Sequence, residues 1–227
     1  MKKTISILGG SGFVGSHLVA ELGRQGYRVR IASRHPERHR DLCVVPNVTV
    51  HACNILSYEL NDFLSGSDIV INLIGVLNEE RKGDFVRFNT DFPASVAQAC
   101  QTLGIYRMIH MSALGADAGF APSAYLRSKG NGEANLQRYS GEIDVTIFRP
   151  NVIFGPGDHF FNRLACLLKK IPFSFPLVSP HTRMAPVYVG DVCQAIAHSL
   201  NDRQCIGKSF ELCGPKIYQF RELVEYT

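Results

Sequence analysis

Three glycines near the amino terminus, Gly9, Gly12 and Gly15, constrain the fold of this chain more than any other feature of its sequence. They follow a short apolar run, Thr4 to Leu8, and open a segment of helical period from Val14 to Gln25. Between a strand and a helix, such glycines allow a sharp turn, close approach of a ligand to the backbone, and close packing of the helix on the strand. The unbonded N–H groups and the dipole at the start of the helix favour an anion there. The spacing therefore predicts a pyrophosphate-binding turn; the simpler alternative is a tight turn that holds no ligand.

Short β-branched runs alternate with helical segments along much of the chain. The helices predicted at Phe85–Leu103 and Ala124–Tyr139 are long enough for right-handed crossovers between parallel strands. Such crossovers place helices on both faces of a parallel sheet, so the predicted fold class is an α/β Rossmann-type doubly wound sheet. After Thr4 to Leu8, the predicted strands are Arg28–Ala32, Val48–Ala52, Asp68–Leu73, Arg107–Met111 and Val145–Phe148.

Two regions are predicted along the chain. Residues 1–150 are expected to form an NAD(P)-binding Rossmann core, and residues 151–227 a small substrate-side region that is partly interleaved with it. The second region is rich in proline and glycine and is expected to hold a short helix and at least two brief strands. A last helical segment, Gln219 to Tyr226, reaches the end of the sequence, so we expect this region to be truncated at its carboxyl terminus.

The composition argues against several classes of protein. The 24 basic and 20 acidic side chains are scattered and leave a net charge of only +4, so no nucleic-acid partner is expected. The 7 cysteines include no C-x-x-C pair and are expected to be reduced thiols. No apolar run approaches the roughly 20 residues that span a bilayer, and no targeting segment precedes the first strand. A cytoplasmic protein is expected, with a peripheral position at the inner face of the membrane as the alternative.

The end of the second predicted strand favours NADP(H) over NAD(H). Proteins that prefer NAD usually carry an acidic residue there for the ribose hydroxyls, whereas this chain has Ser33 and Arg34. A hydroxyl and a guanidinium can bind a 2′-phosphate through charge-assisted hydrogen bonds. Because Arg38 and Arg40 follow closely, a solvated basic loop is the alternative interpretation, and NAD(H) stays open as the cofactor.

Further cofactor contacts are expected where the next strands end. Asn54 follows the third strand, where a side-chain oxygen can meet the adenine amino group. Gly75 follows the fourth strand, where a small residue lets the cofactor pass close to the backbone; a plain loop glycine is the equal alternative. The full predicted cofactor-contacting set is Gly9, Ser11, Gly12, Phe13, Val14, Gly15, Ser33, Arg34, Asn54, Ile74, Gly75, Asn89, Tyr125, Lys129 and Pro150.

Ser112, Tyr125 and Lys129 form a predicted catalytic set. Ser112 follows the fifth strand, and Tyr125 and Lys129 lie four residues apart, on one face of the next helix. Tyr125 is expected to exchange a proton with the substrate oxygen, Lys129 to hold the ribose and stabilise the phenolate, and Ser112 to orient the oxygen. These roles require the pKa of the phenol to fall by ~3 units from about 10, under a desolvated ammonium and a cationic nicotinamide. A tyrosine and a lysine at this spacing also occur by chance in many helices.

The sequence resembles the short-chain dehydrogenase/reductase superfamily in its extended or atypical branch. The resemblance rests on G-x-x-G-x-x-G from Gly9, Y-x-x-x-K from Tyr125, and Arg149–Pro150 after the sixth strand. Within this superfamily the chain is most similar to the nucleotide-binding accessory subunits of NADH:ubiquinone oxidoreductase and their bacterial relatives. The segments that carry this similarity are Gly12–Gly15, Ser112–Ala116, Arg127–Lys129, Arg149–Asp158 and Pro186–Val192.

The resemblance implies two alternative functions. The first is an NADP(H)-dependent oxidoreductase or isomerase, epimerase-like, that acts on a carbonyl or alcohol substrate of unknown identity. The second is a non-catalytic accessory or assembly protein with a respiratory or membrane-associated protein partner, because the accessory subunits hold NADPH without turning it over. A complete Ser112, Tyr125 and Lys129 set is compatible with both.

This chain departs from the pattern of the family at two places. Asn54 stands where an aspartate is usual, which changes the adenine contact. Gly130 and Gly132 follow the lysine of the predicted catalytic set. Since each interior glycine costs a helix about 1 kcal/mol, a looser helix is expected there.

Three further features have structural interpretations. Arg149 is expected to close its strand by an ion pair, and Asp191 to cap a helix. The segment Phe160–Lys170 is amphipathic, and packing of this helix on the domain is expected; contact with a membrane or a protein partner is the alternative.

Overall fold

A sheet of seven parallel strands organises the protein, whose computed structural model describes residues 2–56, 59–170, 177 and 179–227. In chain order the strands are β1 (Thr4–Leu8), β2 (Arg28–Ser33), β3 (Val48–Ala52), β4 (Ile69–Asn72), β5 (Arg107–Met111), β6 (Asp144–Pro150), β7 (Ile153–Phe154), β8 (Arg183–Met184), β9 (Val187–Tyr188), β10 (Ser209–Leu212) and β11 (Tyr218–Gln219). The main sheet has the order β10-β6-β5-β4-β1-β2-β3. Two short pairs, β7 with β9 and β8 with β11, lie outside it.

Helices cover both faces of the main sheet. Over the described residues the α-helices are α1 (Phe13–Arg24), α2 (Arg40–Cys43), α3 (Glu59–Leu64), α4 (Phe92–Leu103), α5 (Ala124–Gln137), α6 (Phe160–Lys170), α7 (Val189–Ser199) and α8 (Phe220–Glu225). Buried side chains of α1 and α7 form one core, and those of α3, α4 and α5 form the other. None of these helices is long and apolar enough to cross a bilayer.

The central strands are buried on both faces because alternate side chains enter opposite cores. Ile5 and Ile7 of β1 face the core that contains α1, whereas Leu8 faces the core that contains α4. Strand β4 repeats the pattern, with Ile71 in the first core and Val70 in the second. This double burial explains why the strands read as nearly continuous apolar runs, as expected for a parallel sheet.

The predicted fold class is confirmed, and all six predicted strands appear: three have the predicted ends, and the ends of the other three differ by at most two residues. The seventh strand of the sheet, β10, comes from residues 151–227 and pairs with β6. The strand order reverses between β1 and β4, since β2 and β3 lie on one side and β5 and β6 on the other. In doubly wound sheets this reversal opens a crevice at the carboxyl ends of the strands, where ligands bind.

The helix predicted at Phe85–Leu103 consists of a π-helical segment, Phe85–Asp91, followed directly by α4. Pro93 lies in the first turn of α4 and has no N–H to donate to the carbonyl of Asn89. Helix α5 approaches this stretch closely, and the side-chain amide of Asn135 donates to the carbonyl of Thr90 at 3.1 Å. The segment therefore keeps a wider ladder of its own, in which the N–H of Phe92 donates to the carbonyl of Arg87, and it also contacts a neighbouring helix.

The two glycines of α5 make this close packing feasible. A Cβ on Gly132 would lie 2.1 Å from the carbonyl oxygen of Asn89, and a Cβ on Gly130 would lie 2.3 Å from the backbone nitrogen of Ala118. Both glycines are buried, and α5 is a regular helix of 14 residues. The expectation of a loosened helix considered only propensity; these glycines instead bring α5 against the backbone of two neighbouring segments.

Replacing Gly132 with alanine tests this packing. At an exposed helix position, a change from glycine to alanine stabilises the protein by about 1 kcal/mol. Here the added methyl group would collide with backbone atoms, and overpacking of this kind costs about 1–3 kcal/mol or more. We expect Gly132→Ala to lower the free energy of unfolding in urea titrations. Gly119→Ala is the control, because its Cβ would have a nearest neighbour at 3.7 Å. A Gly132→Ala protein as stable as the control would contradict this account of α5.

Candidate functional site

The glycine turn between β1 and α1 is held by its own backbone. Gly9 has a φ of +83°, which an L side chain rarely adopts, and the N–H of Gly12 donates to its carbonyl at 3.1 Å. A Cβ on Gly15 would lie 2.2 Å from the oxygen of Gly9. Gly10 is also required, because its Cβ would lie 2.1 Å from Cγ2 of Ile31 on β2. The sequence pattern did not single out Gly10, since its constraint comes from a neighbouring strand.

The start of α1 is suited to an anion. Its N-cap residue, Gly12, is exposed and contributes no side-chain capping bond, and the first turn contains no acidic residue. The first backbone N–H groups of a helix have no acceptor within the helix, so an anion at this end gains both their hydrogen bonds and the helix dipole. A Cβ on Gly12 would contact only the oxygen of Gly9, at 3.3 Å, so the approach to this backbone is open. The turn therefore fits the pyrophosphate of a dinucleotide.

Ser33 and Arg34 lie at the carboxyl end of β2, beside this turn in the sheet order. The Ser33 side chain is buried, and its oxygen accepts a hydrogen bond from the N–H of His35 at 3.1 Å. Arg34 is exposed, and no carboxylate among the described residues lies within 4.0 Å of its guanidinium. Strand β2 thus ends with an uncompensated cation, and the carboxylate of Glu37 lies close to His35 instead.

Asn54 lies just beyond β3 and is exposed. Its side-chain oxygen accepts from the N–H of Leu56 at 3.3 Å, and its own N–H donates to a carboxylate oxygen of Glu59 at 2.6 Å. These bonds fix the loop that carries Asn54 at the sheet edge. Its contact with adenine stays a prediction.

Asn89 positions the loop after β4. Its side chain is fully buried: the oxygen accepts from the N–H of Val76 at 2.9 Å, and the nitrogen donates to the carbonyl of Val76 and to the hydroxyl of Ser128. One amide therefore ties the loop after β4 to helix α5. This is a positioning role that the sequence did not indicate, because it depends on two segments distant in the chain.

Gly75, in the same loop, leaves room for Lys129. A Cβ at this position would lie 2.5 Å from the Lys129 Nζ atom and 3.0 Å from the side-chain oxygen of Asn89. Neither alternative considered from the sequence included this contact. A larger residue here would displace the Lys129 ammonium or the Asn89 amide, whether or not a cofactor passes the loop.

Lys129 is a buried cation at the carboxyl end of β5. Its side chain is only 4% exposed, and its ammonium donates to the carbonyl of Met111 at 3.0 Å. Burial lowers the pKa of Lys129 to about 8, against a smaller opposing effect from the carboxylate of Glu133. Near neutral pH the ammonium is charged but poorly solvated, which strengthens its interaction with any oxygen brought close to it.

Tyr125 lies one turn before Lys129 on α5 and is half-buried, with its ring 6.2 Å from that of Phe85. Burial raises the pKa of its hydroxyl. The expected fall of the phenol pKa also requires a bound cationic nicotinamide, so it stays a prediction.

Ser112, directly after β5, has a buried hydroxyl for which the described part of the protein offers no hydrogen-bond partner. Its backbone is fixed, since its N–H donates to the carbonyl of Phe148 at 2.7 Å. An unpaired buried hydroxyl costs roughly 1–3 kcal/mol, so such atoms are rare unless a ligand satisfies them. The role of Ser112 in orienting a substrate oxygen stays a prediction.

His110, on β5, is a second buried residue with an unpaired atom. Its Nε2 has no partner among the described residues, while Nδ1 lies 3.3 Å from the side-chain nitrogen of Asn72. Burial and the charge of Lys129 hold the pKa of His110 well below its usual value, so the ring is neutral. No sequence pattern indicated His110, because a histidine on an apolar strand is usually a core residue.

A buried ion pair supports the helix that carries Tyr125 and Lys129. The Nε atom of Arg149 on β6 donates to a carboxylate oxygen of Glu133 at 2.9 Å, and its NH2 group bonds the other oxygen. The predicted ion pair of Arg149 is confirmed, and it ties α5 to the sheet. The prediction that Asp191 caps a helix is wrong: Tyr188 is the N-cap of α7, and Asp191 lies within the first turn. Its charge still interacts favourably with the helix dipole there.

A cleft of about 900 Å³ lies beside the glycine turn and beside Tyr125, which is the candidate for the catalytic tyrosine. One face of α6 forms part of its wall, which agrees with the prediction that this amphipathic helix packs on the domain. The residues that line the cleft are Phe13, Leu77, Ala113, Leu114, Ser123, Tyr125, Leu126, Pro150, Asn151, Val152, Ile153, His159, Phe160, Arg163, Leu164, Leu167, Thr182, Arg183, Met184 and Phe220.

Exchange of Lys129 for methionine tests the cost of the buried charge. The pKa of Lys129 is near 10.5 in the unfolded chain and about 8 in the folded protein. Keeping the side chain protonated in the folded state therefore costs about 3 kcal/mol at most. We expect Lys129→Met to be about 1–3 kcal/mol more stable at pH 7 in urea unfolding. We also expect the wild type to recover part of that difference as the pH rises from about 8 to 10, because its unfolded state then binds more protons.

Lys169→Met, at an exposed position of α6, is the control for this measurement. It should leave both the stability and its pH dependence close to those of the wild type. A Lys129→Met protein that is less stable at pH 7 would show that the ammonium is well compensated where it lies.

Comparison with known proteins gives a consistent family. The family model described as the NAD dependent epimerase/dehydratase family matches residues 5–213. The chain is 33% identical to the mitochondrial NADH dehydrogenase [ubiquinone] 1 alpha subcomplex subunit 9 of Mus musculus, over 97% of this chain and 59% of that protein. It is 31% identical to a ceramide reductase of Caulobacter vibrioides, over 82% of this chain and 57% of that protein. The chain thus spans less than two thirds of these relatives.

Solved structures share the fold. MoeE5 in complex with UDP-glucuronic acid and NAD superposes with a TM-score of 0.84 at 21% identity, covering 99% of this chain and 82% of that one. A UDP-glucuronic acid 4-epimerase from Bacillus cereus, in complex with UDP-glucuronic acid and NAD, superposes with a TM-score of 0.81 at 19% identity, covering 96% and 79%. These similarities extend over the whole sheet and both helical layers.

Proposed function

Because the chain belongs to the NAD-dependent epimerase/dehydratase family, we propose that it is an NADP(H)-dependent oxidoreductase or isomerase acting on a carbonyl or alcohol substrate. The observation that carries the proposal is the unpaired, buried hydroxyl of Ser112 at the end of β5. The next helix brings Tyr125 into the wall of the cleft and buries Lys129 one turn later. A proton donor, a cation and an unsatisfied hydroxyl on adjoining elements suit a substrate oxygen.

Each residue of this set has a distinct role in the proposed reaction. The nicotinamide ring, when bound, supplies or accepts a hydride. Ser112 donates a hydrogen bond from its hydroxyl to the substrate oxygen and so fixes the position of that oxygen. Tyr125 gives a proton to that oxygen in reduction and removes it in oxidation. Lys129 stabilises the phenolate that Tyr125 becomes, since charge interactions are strong where water is excluded. This stabilisation must offset the raised pKa of the buried phenol.

The cofactor is proposed to extend from the glycine turn towards β3. The start of α1, with Gly12, Phe13 and Val14, would hold the pyrophosphate. Arg34 would bind a 2′-phosphate, and Asn54 would meet the adenine. The support for NADP(H) over NAD(H) is the exposed guanidinium of Arg34 where an acidic residue would favour NAD.

A second candidate function is that of a non-catalytic accessory protein that holds NADP(H) and docks onto a respiratory complex at the inner face of a membrane. The observation that favours it is the 33% identity, over 97% of this chain, to a protein named as a subunit of mitochondrial NADH dehydrogenase. The 31% identity to a protein named as a reductase favours the catalytic function. The chemistry of the cleft wall, with Tyr125 facing it, leads us to place catalysis first.

Replacing Tyr125 with phenylalanine separates the two functions. Loss of the general acid should lower kcat by about 100-fold or more, whereas the affinity for NADPH, from calorimetry, should change less than about twofold. Tyr106→Phe is the matched control. Tyr106 is 70% exposed and comes directly before β5, at the amino ends of the parallel strands and opposite the end that carries the glycine turn. Full turnover by Tyr125→Phe would show that another group transfers the proton. A wild type that binds NADPH and reduces no carbonyl would favour the accessory role.

The choice of cofactor can be tested at Arg34. A charge-assisted hydrogen bond to phosphate contributes about 1.5–3 kcal/mol, so Arg34→Gln should weaken NADPH binding by about tenfold or more while NADH binding stays constant. Arg38→Gln, which removes another exposed arginine of the same loop, should leave both affinities nearly unchanged. Equal binding of NADPH and NADH by the wild type would contradict the assignment of a 2′-phosphate site.

A further inference from the structure

The cleft beside Tyr125 has an apolar interior. Leu164 of α6 is buried in its wall, and Val152 and Met184 contribute half-buried side chains from two further segments. Leu126, one residue after Tyr125, belongs to the same surface. Polar hydroxyl groups pressed against such walls lose their bonds to water without gaining new ones, which costs free energy. An alkyl or prenyl chain has no hydrogen bonds to water to lose, and its transfer from water into the cleft is favourable.

The charged groups of the cleft all have one sign. Its lining includes Arg163 of α6 and Arg183 of β8, and the lining residues named above include no aspartate or glutamate. Both arginines are exposed, and neither has a carboxylate within 4.0 Å in the described ranges. Two uncompensated guanidinium groups at the rim of an apolar cleft favour an anion there, such as a phosphate or a carboxylate.

We propose that the cleft takes an amphiphilic substrate, with a long apolar chain along α6 and an anionic group at Arg163 and Arg183. The inference rests on the proposed function, in which the carbon to be oxidised or reduced lies at Tyr125. It adds the substrate class: an anionic lipid-like ketone or alcohol. A sugar nucleotide also carries phosphates, but its sugar and base present hydroxyl and amide groups to walls that offer few partners.

Unreactive alkyl phosphates test the class of ligand directly. Butyl, hexyl and octyl phosphate, kept below their critical micelle concentrations, are titrated into the protein by calorimetry, with and without NADPH. Because each buried methylene contributes roughly the same free energy, affinity should rise about threefold for each added carbon. Octanol should bind more weakly than octyl phosphate, and UDP-glucose should compete poorly with it. Equal affinity for the three phosphates, or tighter binding of UDP-glucose, would overturn the proposal.

The role of the arginines is tested by charge removal on α6. Arg163→Gln should weaken the binding of octyl phosphate by about fivefold to tenfold and leave the binding of octanol unchanged. Lys169→Gln is the matched control: it removes the same charge from the same helix, but Lys169 does not line the cleft. If both variants bind octyl phosphate equally, or if the double variant of Arg163 and Arg183 binds like the wild type, the anion site is wrong.

These measurements need no turnover, so their failure is distinct from failure of the proposed function. A protein that reduces carbonyls with NADPH and shows no preference for longer alkyl phosphates contradicts the substrate class alone. Chain-length-dependent binding by a protein that never oxidises NADPH contradicts only the catalytic function.

Discussion

The rest of the site depends on the buried ammonium of Lys129 and on the contacts that it makes. A side chain at position 75 would displace the Nζ atom, which lies where its Cβ would be. The carbonyl of Met111 accepts a hydrogen bond from the ammonium, and the charge of the ammonium helps to keep the His110 ring neutral. Helix α5, which carries the lysine, is tied to the sheet through Glu133. The protein thus maintains a desolvated cation at the carboxyl edge of its sheet, at a cost to its stability.

The dinucleotide turn and the proposed catalytic set are joined by the topology of the sheet. The strand order reverses between β1 and β4, and the loops after these strands carry the glycine turn and Gly75. Strand β5 follows next in the sheet, and Ser112 comes directly after its last residue, Met111. The amide of Asn89 connects the loop after β4 to the helix of Lys129, so the cofactor side and the substrate side share one rigid framework. Small displacements there should affect both.

Local patterns in the sequence predicted the sheet and the position of the site, and contacts between distant segments account for what they missed. Gly9, Gly12 and Gly15 are constrained by their own turn, so their spacing alone indicated it. Gly132 is constrained by the carbonyl of Asn89, and propensity alone suggested the opposite effect. The rise in the pKa of Tyr125 in the protein alone was likewise not indicated by the sequence, because it depends on how much surrounding protein excludes water. Burial and tertiary packing cannot be read from spacing.

We propose that the turn at Gly9 to Gly15 and the cation at Arg34 hold NADP(H), which the Ser112, Tyr125 and Lys129 set then uses. Mass spectrometry of the nucleotide released when the purified protein is denatured, quantified against the protein, tests this proposal. We expect NADP⁺ or NADPH, either carried through purification or bound in preference when equal amounts of NADP(H) and NAD(H) are supplied. Release of NAD(H) from that mixture, or of no nucleotide at all, would contradict it.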